Sequence, residues 1–160
     1  MVIAEQFYQK LQPLFKQLNV PALECNPHGY YALPLEGGQE VFLELTENMS
    51  LIMMGMLPLP ENPSETLLLE LLQANLNIEE QPVITVAADK AGAQLVIWAA
   101  LPLKDLLHDT LISLFERLVW TLSVIGRWCQ PAVPQGRSVT KDEEKLLLQR
   151  RQVEALMSQR

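Results

Sequence analysis

Four side chains have the chemistry of a zinc site: Cys25 and His28, spaced Cys-x-x-His, followed far downstream by His108 and Cys129. A thiolate and an imidazole three residues apart can share one tetrahedral ion, and structural zinc sites are built from such close pairs. The second pair breaks the pattern. His108 and Cys129 fall on one predicted helix, where they would stand roughly 30 Å apart at about 1.5 Å of rise per residue. They cannot both ligate one ion, so no metal is expected. Glu79-Glu80 is an adjacent carboxylate pair in a polar loop, which reads as a solvated turn and not as an acid–base dyad. Lys90 and Lys104 read as surface lysines. The chain has no glycine-rich phosphate loop and no G-x-S-x-G nucleophile elbow. No catalytic residue and no cofactor are expected, and the chain does not read as an enzyme.

The elements around these residues say more. The chain has 160 residues, 49% hydrophobic and 19% charged, with a formal net charge of −7. That is enough apolar material for one core and argues against disorder for the bulk of the chain. An acidic body lacks the Lys/Arg stripe that phosphates need, so nucleic acid is not an expected partner. It is equally unsuited to an anionic membrane surface. The longest apolar runs, 51–59 and 95–103, are interrupted by Pro and too short to span a bilayer, so no membrane insertion is expected. The N-terminus has no basic segment ahead of an apolar one, as a secretory signal would. Two cysteines do not make a disulfide framework. A reduced, cytoplasmic protein is the expectation.

Ile3, Phe7, Leu11, Leu14, Phe15 and Leu18 recur at helical spacing and predict an amphipathic first helix. Pro13 lies inside it, which predicts a kink or a helix in two pieces. A short strand is expected around Tyr30–Leu33. Val41, Leu43 and Leu45 alternate with Phe42, Glu44 and Thr46 in a second strand. Met49–Leu57 is a third strand, apolar on both faces, with Met49, Leu51, Met53 and Leu57 opposite Ile52, Met54 and Met56. Prolines 58, 60 and 63 end it. A helix over Ser64–Asn77 follows, then a hairpin of Val83–Ala88 and Ala93–Leu101 around Asp89-Lys-Ala-Gly92. A long helix is expected over Leu103–Cys129. The fold class is therefore α+β: an antiparallel twisted sheet with helices in the order α-β-β-β-α-β-β-α, plus an added C-terminal helix. Residues 1–130 form the domain, 131–139 a Pro/Gly linker, and 140–160 a helical tail opened by the capping box Thr140-Lys-Asp-Glu143.

The helix over 64–77 carries more apolar surface than one sheet can cover. Leu67, Leu68, Leu69, Leu71, Leu72, Ala74 and Leu76 fill an arc of roughly 220° on a wheel stepped by about 100° per residue. A second copy of the chain is the commonest cover for such a surface, and the long third helix is the alternative. Asn75 falls inside the arc, where an unpaired amide is costly, and is expected to bond across that interface. The third strand presents methionines, whose flexible thioethers suit surfaces that accept varied partners.

The phrase LLLELLQANL (67–76), the hairpin VITVAADKAGAQLVIWAALPL (83–103) and the long helix ending at Trp128 carry a resemblance. With the element order, over residues 1–130, they resemble the class I type III secretion chaperones, the CesT (Tir chaperone) family. The resemblance implies a small acidic cytoplasmic homodimer without ATPase activity. Such a dimer binds the N-terminal region of one or a few secreted effectors in extended form, and the export apparatus then recognises the complex. Effector segments would bury apolar side chains in surface patches and add a strand to the sheet edge. It places the dimer interface at Leu68, Leu71, Leu72, Asn75 and Leu76, with Trp98 as a neighbour. Effector contacts would fall at Phe7, Leu11, Leu14, Phe42, Met54 and Met56.

Pro13 and the tail beyond Pro131 depart from the family pattern. The alternative reading is a chaperone-fold adaptor or regulatory protein-binding module with no secretion role. Charge is unevenly spread: residues 1–130 hold 6 basic and 15 acidic side chains, net −9, and 131–160 hold 6 basic and 4 acidic, net +2. The acidity belongs to the body, where it keeps a sticky surface soluble.

Overall fold

A computed structural model describes residues 2–21 and 23–130. The expected linker 131–139 and tail helix 140–160 lie outside the described residues, and with them the proposed division of the chain at 130.

Helix α1 spans Val2–Gln17 and runs through Pro13 as one element. Strands β1 (Tyr30–Pro34), β2 (Glu40–Leu45) and β3 (Ser50–Pro58) follow. Helix α2 (Glu65–Gln73) is shorter than its leucine pattern suggests, because a 3₁₀ turn over Ala74–Leu76 ends it. The Ser64 hydroxyl caps α2 by accepting from the Leu67 amide at 3.0 Å. Strands β4 (Thr85–Ala88) and β5 (Gln94–Pro102) form the hairpin. Its Asp89 carboxylate accepts from the amides of Ala93 and Gln94. A 3₁₀ turn over Leu103–Asp105 precedes α3 (His108–Trp128), so the long helix starts five residues later than its pattern predicts.

All five strands pair antiparallel in the order β1-β2-β3-β5-β4. Alternation divides the sheet into two faces. Tyr31, Leu33, Val41, Leu43, Leu51, Met53, Ile97 and Ala99 point to the helices and are buried. Against them lie Phe7, Leu11, Leu14 and Phe15 of α1 and Leu111, Leu114, Leu118 and Leu122 of α3. Tyr31 anchors the aromatic part of this core, with ring centroids 5.8 Å from Phe15 and 6.1 Å from Phe7. Burial, with smaller contributions from the charges of Cys25 and Tyr8, pushes the Tyr31 phenol pKa up.

Met49 does not join β3. It occupies the left-handed region at φ 57° in the turn that links β2 to β3. Its amide donates to the Thr46 carbonyl, and its own carbonyl accepts from the Leu103 amide.

Candidate functional site: two open apolar surfaces

With α1 and α3 both on one side, no described helix packs on the other side of the sheet. Strand register puts Ala32, Phe42, Met54, Trp98 and Thr85 in one continuous cross-strand row. Beside it runs a second row of Glu40, Met56, Val96 and Ala87. Phe42, Met54 and Trp98 are half-buried by their neighbours on the sheet, and Met56 is 43% exposed. At one end Tyr30 meets Phe42 edge-on at 5.4 Å, and His28 stacks on Tyr30 at 6.4 Å. The row is a flat apolar strip with a polarizable methionine at its centre.

The second open surface is α2. Only Leu71 of this helix is buried, while Leu68, Leu69, Leu72 and Leu76 are exposed, Leu72 by 68%. Ile78, just past the 3₁₀ turn, extends the ridge. The chain's own core covers Leu71 and, in part, Leu67 and Ala74, and leaves Leu68, Leu69, Leu72 and Leu76 exposed.

The segment that leaves the ridge is tied to α3. Arg117 of α3 brings its Nε to 2.8 Å from a Glu80 carboxylate oxygen and donates to the carbonyls of Gln81 and Pro82. The Glu79-Glu80 segment is thus half engaged: Glu80 serves an arginine, and both residues are exposed.

The residues expected at a dimer interface separate into groups. Leu68, Leu72 and Leu76 stand on the ridge, whereas Leu71 belongs to the chain's own core. Asn75 makes its bonds within the chain: its Nδ2 donates to the Val86 carbonyl at 3.0 Å, and its Oδ1 accepts from the Val86 amide at 2.7 Å. Trp98 stands in the sheet row with Phe42 and Met54. Of the residues expected to touch an effector, Phe7, Leu11 and Leu14 are interior and present no surface, because the apolar face of α1 is spent on the core. Phe42, Met54 and Met56 lie on the open face. Leu69 and Ile78 complete the ridge. Leu69 was visible in the leucine arc, but Ile78 lies beyond the helical period and carries no signal.

His108 opens α3 and Cys129 caps its far end, while Cys25 and His28 sit in an exposed loop. No cluster of His, Cys, Asp or Glu among the described residues could hold a metal ion. Lys90 and Lys104 are exposed. Burial raises the Cys129 thiol pKa. No described helix is long and apolar enough to cross a membrane.

The model of the Tir chaperone protein (CesT) family matches residues 9–124. The chain belongs to that family, the chaperones that bind effectors of type III secretion. Solved structures of the same fold agree. A chain of the HopA1-SchA chaperone–effector complex superposes with a TM-score of 0.66 at 15% identity, covering 79% of this chain and 98% of that one. A chain from the Yersinia pestis complex of the type III secretion chaperone SycH with a stable fragment of YscM2 gives 0.62 at 22% identity, covering 74% and 98%. A chain of the Pseudomonas aeruginosa ExoU-SpcU complex gives 0.60 at 25% identity, covering 76% and 98%. No curated protein matches the sequence significantly.

Proposed function

We propose that this chaperone divides its two open surfaces between two partners. The α2 ridge, through Leu68, Leu72 and Leu76, seats a second copy of the chain. The open sheet face, through Phe42, Met54, Met56 and Trp98, takes apolar side chains from the N-terminal segment of a secreted effector. The chaperone works by passive holding in the bacterial cytoplasm, without catalysis, and hands the effector to the export apparatus.

The observation that carries this reading is the cross-strand row Ala32–Phe42–Met54–Trp98, an apolar strip on a sheet face that no element of the described chain covers. Anchoring on such a strip removes apolar area from water at about 25 cal/mol per Å². Ordering an extended segment has an entropic cost, so a long strip suits the task better than a small pocket.

The test is co-expression with N-terminal fragments of secreted proteins from the native bacterium. A stable complex is expected with at least one fragment. Met54→Glu should abolish that complex and leave the size of the free protein unchanged. If no fragment is captured, or if Met54→Glu binds as well as the parent, the assignment of the sheet face fails.

A further inference from the structure

The five strands carry two charged residues, Glu40 and Glu44, and both alternate with the buried Val41 and Leu43, so both point to the open face. They bracket Phe42 on β2, one in the row on each side of the Phe42–Met54–Trp98 row. Neither has an ion-pair partner among the described residues. Their neighbours in the sequence supply none: residues 17–89 hold eleven acidic side chains and no Lys or Arg. The occupant that fits this strip is apolar along its middle and cationic along both margins.

The chain contains such a segment in the helix that the sequence predicts over 140–160. On a wheel stepped by about 100° per residue, Leu146, Val153, Leu156 and Met157 fall within an arc of about 100°. Arg150 borders that stripe on one side and Lys145 on the other. From Leu146 to Met157 a helix rises about 16 Å. The row from Ala32 to Thr85 crosses all five strands, about 19 Å at about 4.8 Å between neighbours. The α2 ridge from Leu68 to Leu76 is shorter, about 12 Å at the same helical rise.

The exit of the chain suits the same face. Helix α3 runs along β3, with Leu122 over Gly55 and Gly126 beside Leu57. Gln130, the last described residue, therefore lies past the Pro58 end of that strand, the end near which Met56 pairs with Val96. The nine residues 131–139 reach about 30 Å when extended, enough to round the strand ends onto the open side.

We propose that residues 140–160 lie over the open sheet face of the free protein as a tethered, displaceable cover. The stripe around Val153 seats on the Phe42–Met54–Trp98 row, with Lys145 and Arg150 at Glu40 and Glu44. Residues 1–130 are net −9 and 131–160 net +2, so the two parts attract before they dock. A short tether holds the tail near the face at about millimolar effective concentration, so a weak contact suffices to keep it there. A partner that buries more surface displaces it. The cover itself is a property of the free protein; only the further step, that an effector segment displaces it, rests on the proposed function.

The experiment is methyl NMR on the full-length protein without any effector, with a soluble paramagnetic agent that broadens exposed methyl groups. The Met56 methyl, on a side chain 43% exposed among the described residues, should resist broadening nearly as well as that of the interior Met53. Leu146→Glu with Val153→Glu should remove that protection and leave Met53 sharp, the sign of an intact fold. Lys145→Glu with Arg150→Glu should do the same. Adding Glu40→Lys and Glu44→Lys to that charge-reversed tail should restore the protection of Met56. A Met56 as strongly broadened in the parent as in the Leu146→Glu, Val153→Glu variant would overturn the proposal, since the face is then bare. Tail variants that expose the Leu72 methyls and leave Met56 unchanged would overturn it too, placing the tail on the ridge. So would a fourfold charge reversal that leaves Met56 exposed. Capture of effector fragments is measured separately by co-expression, so failure of either reading leaves the other standing.

Discussion

Gly55 of β3 lies directly beneath Leu122 of α3, so close that a Cβ on Gly55 would run into the Leu122 methyl groups. Helix α3 can rest on the central strand only because that strand has no side chain there. Gly55→Ala should therefore lower unfolding stability by about 1–3 kcal/mol, the usual cost of overpacking. Gly126, one turn further along α3, is a control. A Cβ there meets Leu57 at 3.8 Å, an ordinary contact, and its helical position favours alanine. Gly126→Ala should be neutral or stabilising by up to about 1 kcal/mol. Urea denaturation of the two variants checks both signs.

Leu72 is the most exposed leucine of the ridge, so a charge there does not disturb the chain's own core. Leu72→Glu, and in the same way Leu68→Glu, should give a folded protein of half the parental mass by light scattering. An unchanged mass would show that copies associate elsewhere.

Met49 holds a left-handed backbone that costs a side-chain-bearing residue about 1–2 kcal/mol. Glycine avoids that cost but gives up about 0.5–1 kcal/mol to the entropy of the unfolded chain. Met49→Gly should therefore raise stability by roughly 0.5–1 kcal/mol on balance. The Thr46 and Leu103 bonds use its backbone and would persist. Thermal unfolding measures the gain.

Tyr31 and Cys129 both have pKa values raised by burial. A raised folded-state pKa means the native state holds its proton where the unfolded chain releases it. Stability is whole below the pKa of the unfolded group and falls as pH rises through the folded one. The protein should therefore lose stability on the alkaline side, and Tyr31→Phe should blunt that loss. Cys129 should also alkylate more slowly than the exposed Cys25, with a rate that rises only at higher pH.

Much of the architecture was legible because it follows periods. Alternation in 41–46 marked one strand, and the apolar run expected over 49–57 marked the next and set Met53 and Met54 on opposite faces, as in the structure. The leucine arc of 67–76 announced more apolar surface than the core uses, and the ridge is that surplus. What failed to show were pairings distant in sequence. Phe7, Leu11 and Leu14 look the same whether a helix faces a sheet or a partner, and the packing of α1 on Tyr31 and on α3 makes them core. The expected interface role for Asn75 rested on its place in the arc. Its real partner, the backbone of Val86, is invisible in a sequence because every residue has one. The same holds for Arg117, whose targets include two carbonyls. Met49 was assigned to β3 on hydrophobicity alone, which does not report a positive φ.

The arginine has a mechanical consequence. Through Arg117, the helix that floors the sheet grips the segment leading out of α2. The exposed leucines and the Phe42–Met54–Trp98 strip are therefore two outward surfaces of one braced frame. Helix α3 thus touches both, holding the segment beyond the ridge through Arg117 and lying over the Met54 strand through Leu122.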